Sequence, residues 1–174
     1  MQISAARYEE IKSLVADIYY EYGITHLPVE PFRLAEKMQF VVHEYGDFDE
    51  DEQNTICIVS KDGFSYLEKS ELRWHIVYNF DALGERTEFT LAHEIGHIVL
   101  GHTEQSPEAE AEADAFAQQL LAPEAVSIHL NLQNIYQVCS AFTVSKQCAK
   151  SCLAHLKFVK REAQSNTLNP KRKY

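Results

Sequence analysis

The segment His93-Glu94-Ile95-Gly96-His97 constrains the fold of this chain more than any other part of its sequence. Two histidines four residues apart lie about 40° apart on one face of an α-helix, so both rings can reach one metal ion. On the predicted helix, Thr90 and Gly101 share the histidine face. The opposite face is apolar and consists of Leu91, Ile95, Ile98 and Val99. We therefore predict a helix with an apolar anchor and a polar face that carries a metal site.

Glu94 follows the first histidine and supplies a group that can move a proton. In a helix, its carboxylate lies within reach of a metal-bound water. Zinc suits this arrangement because it lowers the pKa of a bound water and polarises a substrate carbonyl. We predict that His93 and His97 are zinc ligands and that Glu94 is the general base. Gly96 costs the helix about 1 kcal/mol, and we interpret it as a point of close backbone approach.

A catalytic zinc site usually takes three protein ligands, so this helix lacks one. His102 is the nearest histidine, but it lies five residues after His97, and we interpret it as a helix C-terminal residue that interacts with the helix dipole. The following helix is the better source of a ligand. Ser106 can cap that helix, and Pro107 suits its first position.

Glu110 and Asp114 lie about 40° apart at the edge of the apolar face of this second helix. A carboxylate held against a core needs a compensating partner, and a zinc ion would provide one. We predict Glu110 as the third ligand and Asp114 as the acceptor of a hydrogen bond from a ligating histidine. Glu112 is the alternative ligand, although its position is also typical of a solvated helix glutamate.

The remaining patterns predict an α+β fold, in which a small, mostly antiparallel sheet packs with the two site helices. Helical spacing predicts a helix from Ser4 to Gly23 and a shorter one over Pro31–Met38. Three β-rich runs predict strands, namely Phe40–Tyr45, Thr55–Val59 and Trp74–Tyr78. An acidic loop, Asp47–Glu52, is expected to join the first two strands. From Arg86 onward the pattern is helical, with breaks at His102–Pro107 and near Pro123.

The net charge of -10 disfavours DNA or RNA as a partner, because an acidic surface repels phosphates. Basic residues near the C-terminus are interpreted as a solvated helix end and tail: Lys157, Lys160, Arg161, Lys171, Arg172 and Lys173. No run of about 20 apolar residues predicts a membrane span, and Met1-Gln2-Ile3-Ser4 is not typical of a signal peptide. We therefore expect a cytoplasmic protein. Its cysteines are expected to be reduced thiols: Cys57, Cys139, Cys148 and Cys152.

Two blocks of this sequence resemble the ImmA/IrrE family of metallo-endopeptidases. The first block runs from Arg86 to His102 and contains a Phe-Thr-Leu-Ala lead-in before the His-Glu-x-x-His segment. The second block joins Glu110 and Asp114 to a Phe-Ala-x-x-Leu-Leu-x-Pro ending at Pro123, and counting back from this proline places the family's glutamate ligand at Glu110. Ala122 stands where methionine is common and Gln118-Gln119 where Ala-Glu is common, but neither departure touches a ligand.

This resemblance implies a zinc metallo-endopeptidase with a thermolysin-like metal site. It implies a metallopeptidase domain over residues 1–130 and a C-terminal helical subdomain with a basic tail over residues 131–174. Several members are encoded on phages and integrative elements, where they cleave a helix-turn-helix repressor and so relieve repression of transcription. The resemblance alone implies the same role here, with a protein substrate as partner.

Two other functions stay open at the level of sequence. The first is a catalytically silent regulatory module that contains zinc, although Glu94 argues against a purely structural site. The second is a DNA-binding regulator that uses Asn134–Leu156 as a helix-turn-helix, with Ser145 capping its second helix. The buried stripe of that helix would be Cys148, Ala149, Cys152, Leu153 and Leu156, and its exposed residues would be Lys146, Gln147, Lys150 and His155. These offer few phosphate contacts.

The peptidase reaction also needs a group that stabilises the developing oxyanion. The candidates in the sequence are Tyr78, His75 and His129, and the sequence does not choose among them.

Overall fold

The computed structural model describes residues 3–80 and 84–168. Lys171, Arg172 and Lys173 of the expected basic tail, and the side chains of Lys160 and Arg161, lie outside the described residues. The distribution of internal contacts divides the chain into two units, Met1–Leu121 and Ala122–Tyr174. The fold is α+β, as the sequence predicts, with the helices Pro31–Lys37 and Gly84–Val99 packed against a small three-stranded sheet in the first unit.

The elements of the first unit run in this order: α1 (Ala5–Glu21), α2 (Pro31–Lys37), β1 (Val41–Glu44), a single 3-10 turn (Tyr45–Asp47), α3 (Glu50–Val59), β2 (Gly63–Glu68), β3 (Arg73–Tyr78), α4 (Gly84–Val99) and α5 (Pro107–Leu121). The second unit contains α6 (Glu124–His129), α7 (Ile135–Phe142) and α8 (Lys146–Leu168).

Helix α1 begins where its capping residue predicts. The side chain of Ser4 accepts a hydrogen bond of 3.1 Å from the backbone N–H of Arg7, which satisfies a donor that the helix itself cannot satisfy. The buried face of α1 packs against α5, and the Tyr19 hydroxyl donates a hydrogen bond of 2.6 Å to the carbonyl oxygen of Leu120. The N-terminal helix is therefore fixed to one of the two site helices.

The prediction of a strand over Thr55–Val59 was wrong, because this segment belongs to helix α3. The acidic residues that were predicted to form a loop instead begin the helix. Asp49 and Glu52 form a reciprocal capping box, and carboxylates in a first turn interact favourably with the positive end of the helix dipole. Ile58 is 86% exposed, so the apolar run does not mark a buried strand.

The missing strand is β2, which the sequence patterns did not single out. The strand order is β1-β3-β2, so β2 lies at an edge of the sheet. The pairing of β2 with β3 is antiparallel and that of β1 with β3 is parallel, which makes the sheet mixed. Gly63 lets β2 lie close to α4, since a Cβ atom at this position would lie 2.7 Å from Cγ2 of Thr90.

Helices α4 and α5 pack tightly, and Gly96 is the reason. A Cβ atom on Gly96 would lie 2.9 Å from Cδ1 and 3.2 Å from Cβ of Phe116, closer than normal packing allows. The interpretation of Gly96 as a point of close approach is therefore confirmed. On the apolar face of α4, Leu91 and Ile95 are fully buried, which holds the opposite, histidine-bearing face in a fixed orientation.

In the second unit, Ser145 caps α8 as predicted and accepts a hydrogen bond of 3.2 Å from the N–H of Cys148. The predicted stripe on α8 is buried at all five positions: Cys148, Ala149, Cys152, Leu153 and Leu156. His155 was predicted to be exposed, and this was wrong. Its side chain is 25% exposed, and its Nε2 atom lies 2.9 Å from Oε2 of the buried Glu124.

Two further observations concern the whole of the described chain. Cys57, Cys139 and Cys152 are free thiols. Among residues 3–80 and 84–168, none of the helices combines the length and the apolar character that crossing a membrane requires.

Candidate metal centre

Helix α4 directs His93, Glu94 and His97 into a cleft of about 400 Å³. Its other walls come from β2, β3, α5 and the segment between α4 and α5. The lining side chains include Ser65, Trp74, Thr90, His102, Glu110 and Asp114. The cleft thus collects the predicted site residues from two helices and adds two side chains from the sheet.

Three of these residues form a compact donor set. The Nε2 atoms of His93 and His97 are 3.0 Å apart. The carboxylate of Glu110 spans both rings, with Oε2 lying 3.4 Å from Nε2 of His93 and Oε1 lying 3.5 Å from Nε2 of His97. One ligand atom from each residue lies within 4.8 Å of the others. Two imidazole nitrogens and a carboxylate oxygen are the ligand set of many catalytic zinc sites, so the group can hold a metal ion.

Asp114 occupies the position behind the first histidine. Its Oδ1 atom lies 3.0 Å from Nδ1 of His93 and is suited to accept the proton of that nitrogen. The lone pair of Nε2 is then left free on the side of Glu110. The sequence predicts this role for Asp114, and the structure brings the two side chains together.

The carboxylates of the site are more open to solvent than the sequence suggests. The side chains of Glu110 and Asp114 are 51% and 63% exposed. They are therefore not held against the core, and they line an open cleft instead. The histidines are the buried partners, with 16% and 15% of the His93 and His97 side chains exposed.

The two histidines respond differently to this environment. Burial lowers the pKa of His97 to about 4, and the neighbouring rings of His93 and His102 act in the same direction. Burial also disfavours protonation of His93, but its hydrogen bond to Asp114 and the nearby carboxylates outweigh this effect, so its pKa is raised. His97 is therefore neutral near pH 7 and keeps a lone pair for a metal ion.

Glu94 lies beside this donor set without joining it. Its side chain is almost fully buried, and Oε2 accepts a hydrogen bond of 2.8 Å from the hydroxyl of Ser65 on β2. Burial raises the pKa of the Glu94 carboxyl, while the Ser65 hydrogen bond partly opposes that shift. A carboxylate in this environment is a stronger base than one in water.

Glu112, the alternative third ligand, points elsewhere. Its Oε2 atom lies 2.7 Å from Nη2 of Arg7 and 3.2 Å from Nε2 of His102. The described residues that converge as possible ligands are therefore His93, His97 and Glu110, without Glu112.

Two residues of the cleft were missed at the level of sequence. Ser65 and Trp74 lie on paired strands and point to the side of the sheet that faces the cleft. The signal for Ser65 was the alternating run that follows the Asp62-Gly63 turn, because residues two apart in a strand share a face. That run is short, and the apolar residues at the end of α3 gave a stronger strand signal.

Of the three oxyanion candidates, Tyr78 and His75 belong to the first unit, and neither is among the described residues that line this cleft. Tyr78 is buried against Phe32, and their ring centroids are 5.2 Å apart. His75 points to the other face of the sheet, where it stacks on His43 and Tyr66. His129 belongs to α6, in the second unit.

Comparison with known proteins gives one family. The model of the peptidase M78 family, described as the IrrE N-terminal-like domain, matches residues 58–151, which is more than half of the chain. The matched region contains the donor set, Glu94 and Asp114. A search among curated proteins found no significant match.

Proposed function

The chain belongs to the ImmA/IrrE family through its IrrE N-terminal-like domain of peptidase M78, and on this premise we propose that it is a zinc-dependent endopeptidase. The observation that supports this proposal best is the convergence of His93, His97 and Glu110 beside the buried carboxylate of Glu94. A structural metal site would not need such a base. The peptidase family also implies a protein as the substrate.

In the proposed reaction, His93, His97 and Glu110 would hold the metal. A bound zinc ion would supply Lewis acidity to a water molecule and to the carbonyl of the scissile peptide. Ser65 holds Oε2 of Glu94, which leaves Oε1 to take a proton from the attacking water. Glu94 then returns this proton to the nitrogen of the departing amine. The hydrogen bond to Asp114 keeps the His93 ring in the tautomer that presents Nε2 to the metal.

The cleft suits an extended polypeptide. It is open, and one wall is β2, an edge strand that pairs only with β3 among the described residues. An edge strand offers backbone groups that can bind an extended segment as a further strand. A substrate that lies along β2 would pass Ser65 and bring a carbonyl group close to Glu94.

We further propose that the substrate is a helix-turn-helix repressor of a phage or integrative element, and that cleavage relieves repression. The support for this role is the family resemblance of the two sequence blocks. Cys57, Cys139 and Cys152 are free thiols, which supports a reaction in the cytoplasm, where thiols stay reduced. A repressor encoded beside this protein is the substrate to test first.

The experiment compares the wild type with Glu94→Gln and a control, Glu108→Gln, whose glutamate is exposed on α5. Each purified protein is assayed for zinc content and for cleavage of the neighbouring repressor. Glu94→Gln should keep about one zinc per chain and lose cleavage by at least about 100-fold, since it keeps the shape but not the base. Glu108→Gln should resemble the wild type.

The outcomes separate the proposal from its alternatives. A wild type that binds zinc without cleaving any tested peptide bond would favour a silent zinc-containing module. Unchanged cleavage by Glu94→Gln would show that another group is the base. Salt-sensitive binding of the wild type to duplex DNA would support the DNA-binding alternative instead.

A further inference from the structure

Helix α4 ends in a turn that brings His102 back to His97. Gly101 has a φ of 71°, in the left-handed region that favours glycine. The N–H of Gly101 donates to the carbonyl oxygen of Ile98, and the N–H of His102 donates to the carbonyl oxygen of His97. This Schellman arrangement folds the chain back by one turn. The His102 ring then lies beside the His97 ring, with the two Nδ1 atoms 2.9 Å apart.

The direction of hydrogen bonding follows from the metal site. If Nε2 of His97 gives its lone pair to a metal, the proton of the neutral ring is on Nδ1. This proton can be donated only to an acceptor, so Nδ1 of His102 must be unprotonated. His102 then carries its own proton on Nε2, which lies 3.2 Å from Oε2 of Glu112. One arrangement of protons therefore gives each ring a hydrogen-bond partner, with His97 donating to His102 and His102 donating to the carboxylate of Glu112.

Glu112 is in turn held by the N-terminal helix. Nη2 of Arg7 donates a hydrogen bond of 2.7 Å to its Oε2 atom. The side chains of Glu112 and His102 are only 18% and 12% exposed, so water screens these contacts little. The carboxylate of Glu112 therefore lies between the guanidinium of Arg7 and the ring of His102.

We propose that Arg7, Glu112 and His102 are positioning residues that fix the ring orientation and tautomer of His97 for metal binding. This inference rests on the proposed metal centre. His93 is oriented directly by the carboxylate of Asp114. His97 is oriented by the ring of His102, which in turn contacts the carboxylate of Glu112. Arg7 lies outside the segment that matches the family model, so α1 contributes to the metal centre of this chain from beyond that segment.

The test measures the zinc affinity of the full chain by competition with a chromogenic chelator. His102→Leu removes the acceptor for the proton on His97 and should raise the zinc Kd about 10- to 100-fold, the usual effect of losing such a partner. His102→Asn places an amide oxygen near the position of Nδ1 and should recover part of the affinity. Glu112→Gln should also weaken binding, and Asp114→Asn serves as the positive control.

Two matched controls separate positioning from general electrostatics. Glu108→Gln removes an exposed carboxylate from the same helix as Glu112, and Glu10→Gln removes a carboxylate that forms a second ion pair with Arg7. Both should keep the zinc Kd within about twofold of the wild type. The visible spectrum of the cobalt-loaded protein gives a second readout, which should change for His102→Leu and not for these controls, because it reports ligand geometry.

The outcomes distinguish this inference from the proposed function. A zinc Kd and cobalt spectrum for His102→Leu equal to those of the wild type, with Asp114→Asn weakened, would overturn the positioning role alone. A wild type without measurable zinc affinity would overturn the metal centre and this inference with it. If His102→Leu does not fold, the comparison of His102→Asn and Glu112→Gln with the two controls decides the same question.

Discussion

The hydroxyl of Ser65 donates a hydrogen bond of 2.8 Å to Oε2 of Glu94. This bond joins the edge strand β2 to the helix that carries both histidines of the candidate metal centre. Glu94 is nearly fully buried, and a buried carboxylate needs hydrogen-bond donors from the protein in place of water. The bond therefore fixes the orientation of the proposed base at the point where β2 approaches α4.

Ser65→Ala should lower kcat/KM about 10-fold and leave zinc content unchanged, since one hydrogen bond to a charged group contributes roughly 1.5 kcal/mol. The serine also lowers the pKa of Glu94, so its loss should move the acidic limb of the pH–rate profile to higher pH. Ser70→Ala, which removes an exposed hydroxyl bound to Glu68, is the control. An unshifted acidic limb would count against this role of Ser65.

Gly96→Ala should destabilise the first unit by about 1–3 kcal/mol, because the added methyl group meets the ring and Cβ of Phe116. The better helix propensity of alanine offsets only about 1 kcal/mol of this effect. Gly84→Ala is a matched control on the same helix, where an added Cβ meets nothing within 4 Å. Thermal unfolding of the metal-free proteins measures the difference, and equal melting temperatures for both variants would contradict the packing argument.

Glu88→Gln should stabilise the protein at pH 7 by a few tenths to about 1 kcal/mol. Oε2 of Glu88 is buried without a hydrogen-bond partner among the described residues, and burial together with Glu30 raises its pKa. A raised pKa favours folding below the unfolded-state value of 4.5, and this contribution is lost as the pH rises through the folded-state value. The stabilisation by Glu88→Gln should therefore be largest at a pH above both pKa values of Glu88, and it should be smaller at pH 4.

Denaturant unfolding at pH 4 and pH 7 measures this effect. Glu71→Gln, at an exposed glutamate, should leave the free energy of unfolding nearly unchanged at both values. A stabilisation by Glu88→Gln that is equal at pH 4 and pH 7 would rule out the burial of a charge as its cause.

Chelation of the metal should lower the melting temperature of the wild type, because an ion that binds only the folded state stabilises it. At a free zinc concentration of 100 times Kd, this stabilisation is about 2.7 kcal/mol. Glu110→Ala should reduce the zinc-induced shift, since it removes the carboxylate that spans both Nε2 atoms. Glu108→Ala on the same helix should keep the full shift. Equal shifts for the two variants would argue against Glu110 as a ligand.

The parts of the fold that followed from the sequence are those that local chemistry determines. Ser4 and Ser145 cap the helices that they were predicted to begin. Helix α3 shows the opposite case, because Thr55–Val59 has the composition of a strand but follows a capping box and an acidic first turn. The signals that begin the helix outweighed the intrinsic β-propensity of Thr55–Val59. The segment is largely exposed, so its apolar residues show no burial pattern that would have distinguished a helix from a strand.

The sequence by itself determined which residues could share a helix face, because the helical repeat fixes the angles between His93, Glu94 and His97 and between Glu110 and Asp114. Only the tertiary structure decided what those faces meet. The close approach at Gly96 brings Glu110 to the histidines, the sheet order brings Ser65 to Glu94, and the turn at Gly101 brings His102 to His97. These contacts depend on packing between segments that are distant in the chain, or on one left-handed turn, and neither has a periodic signal in the sequence.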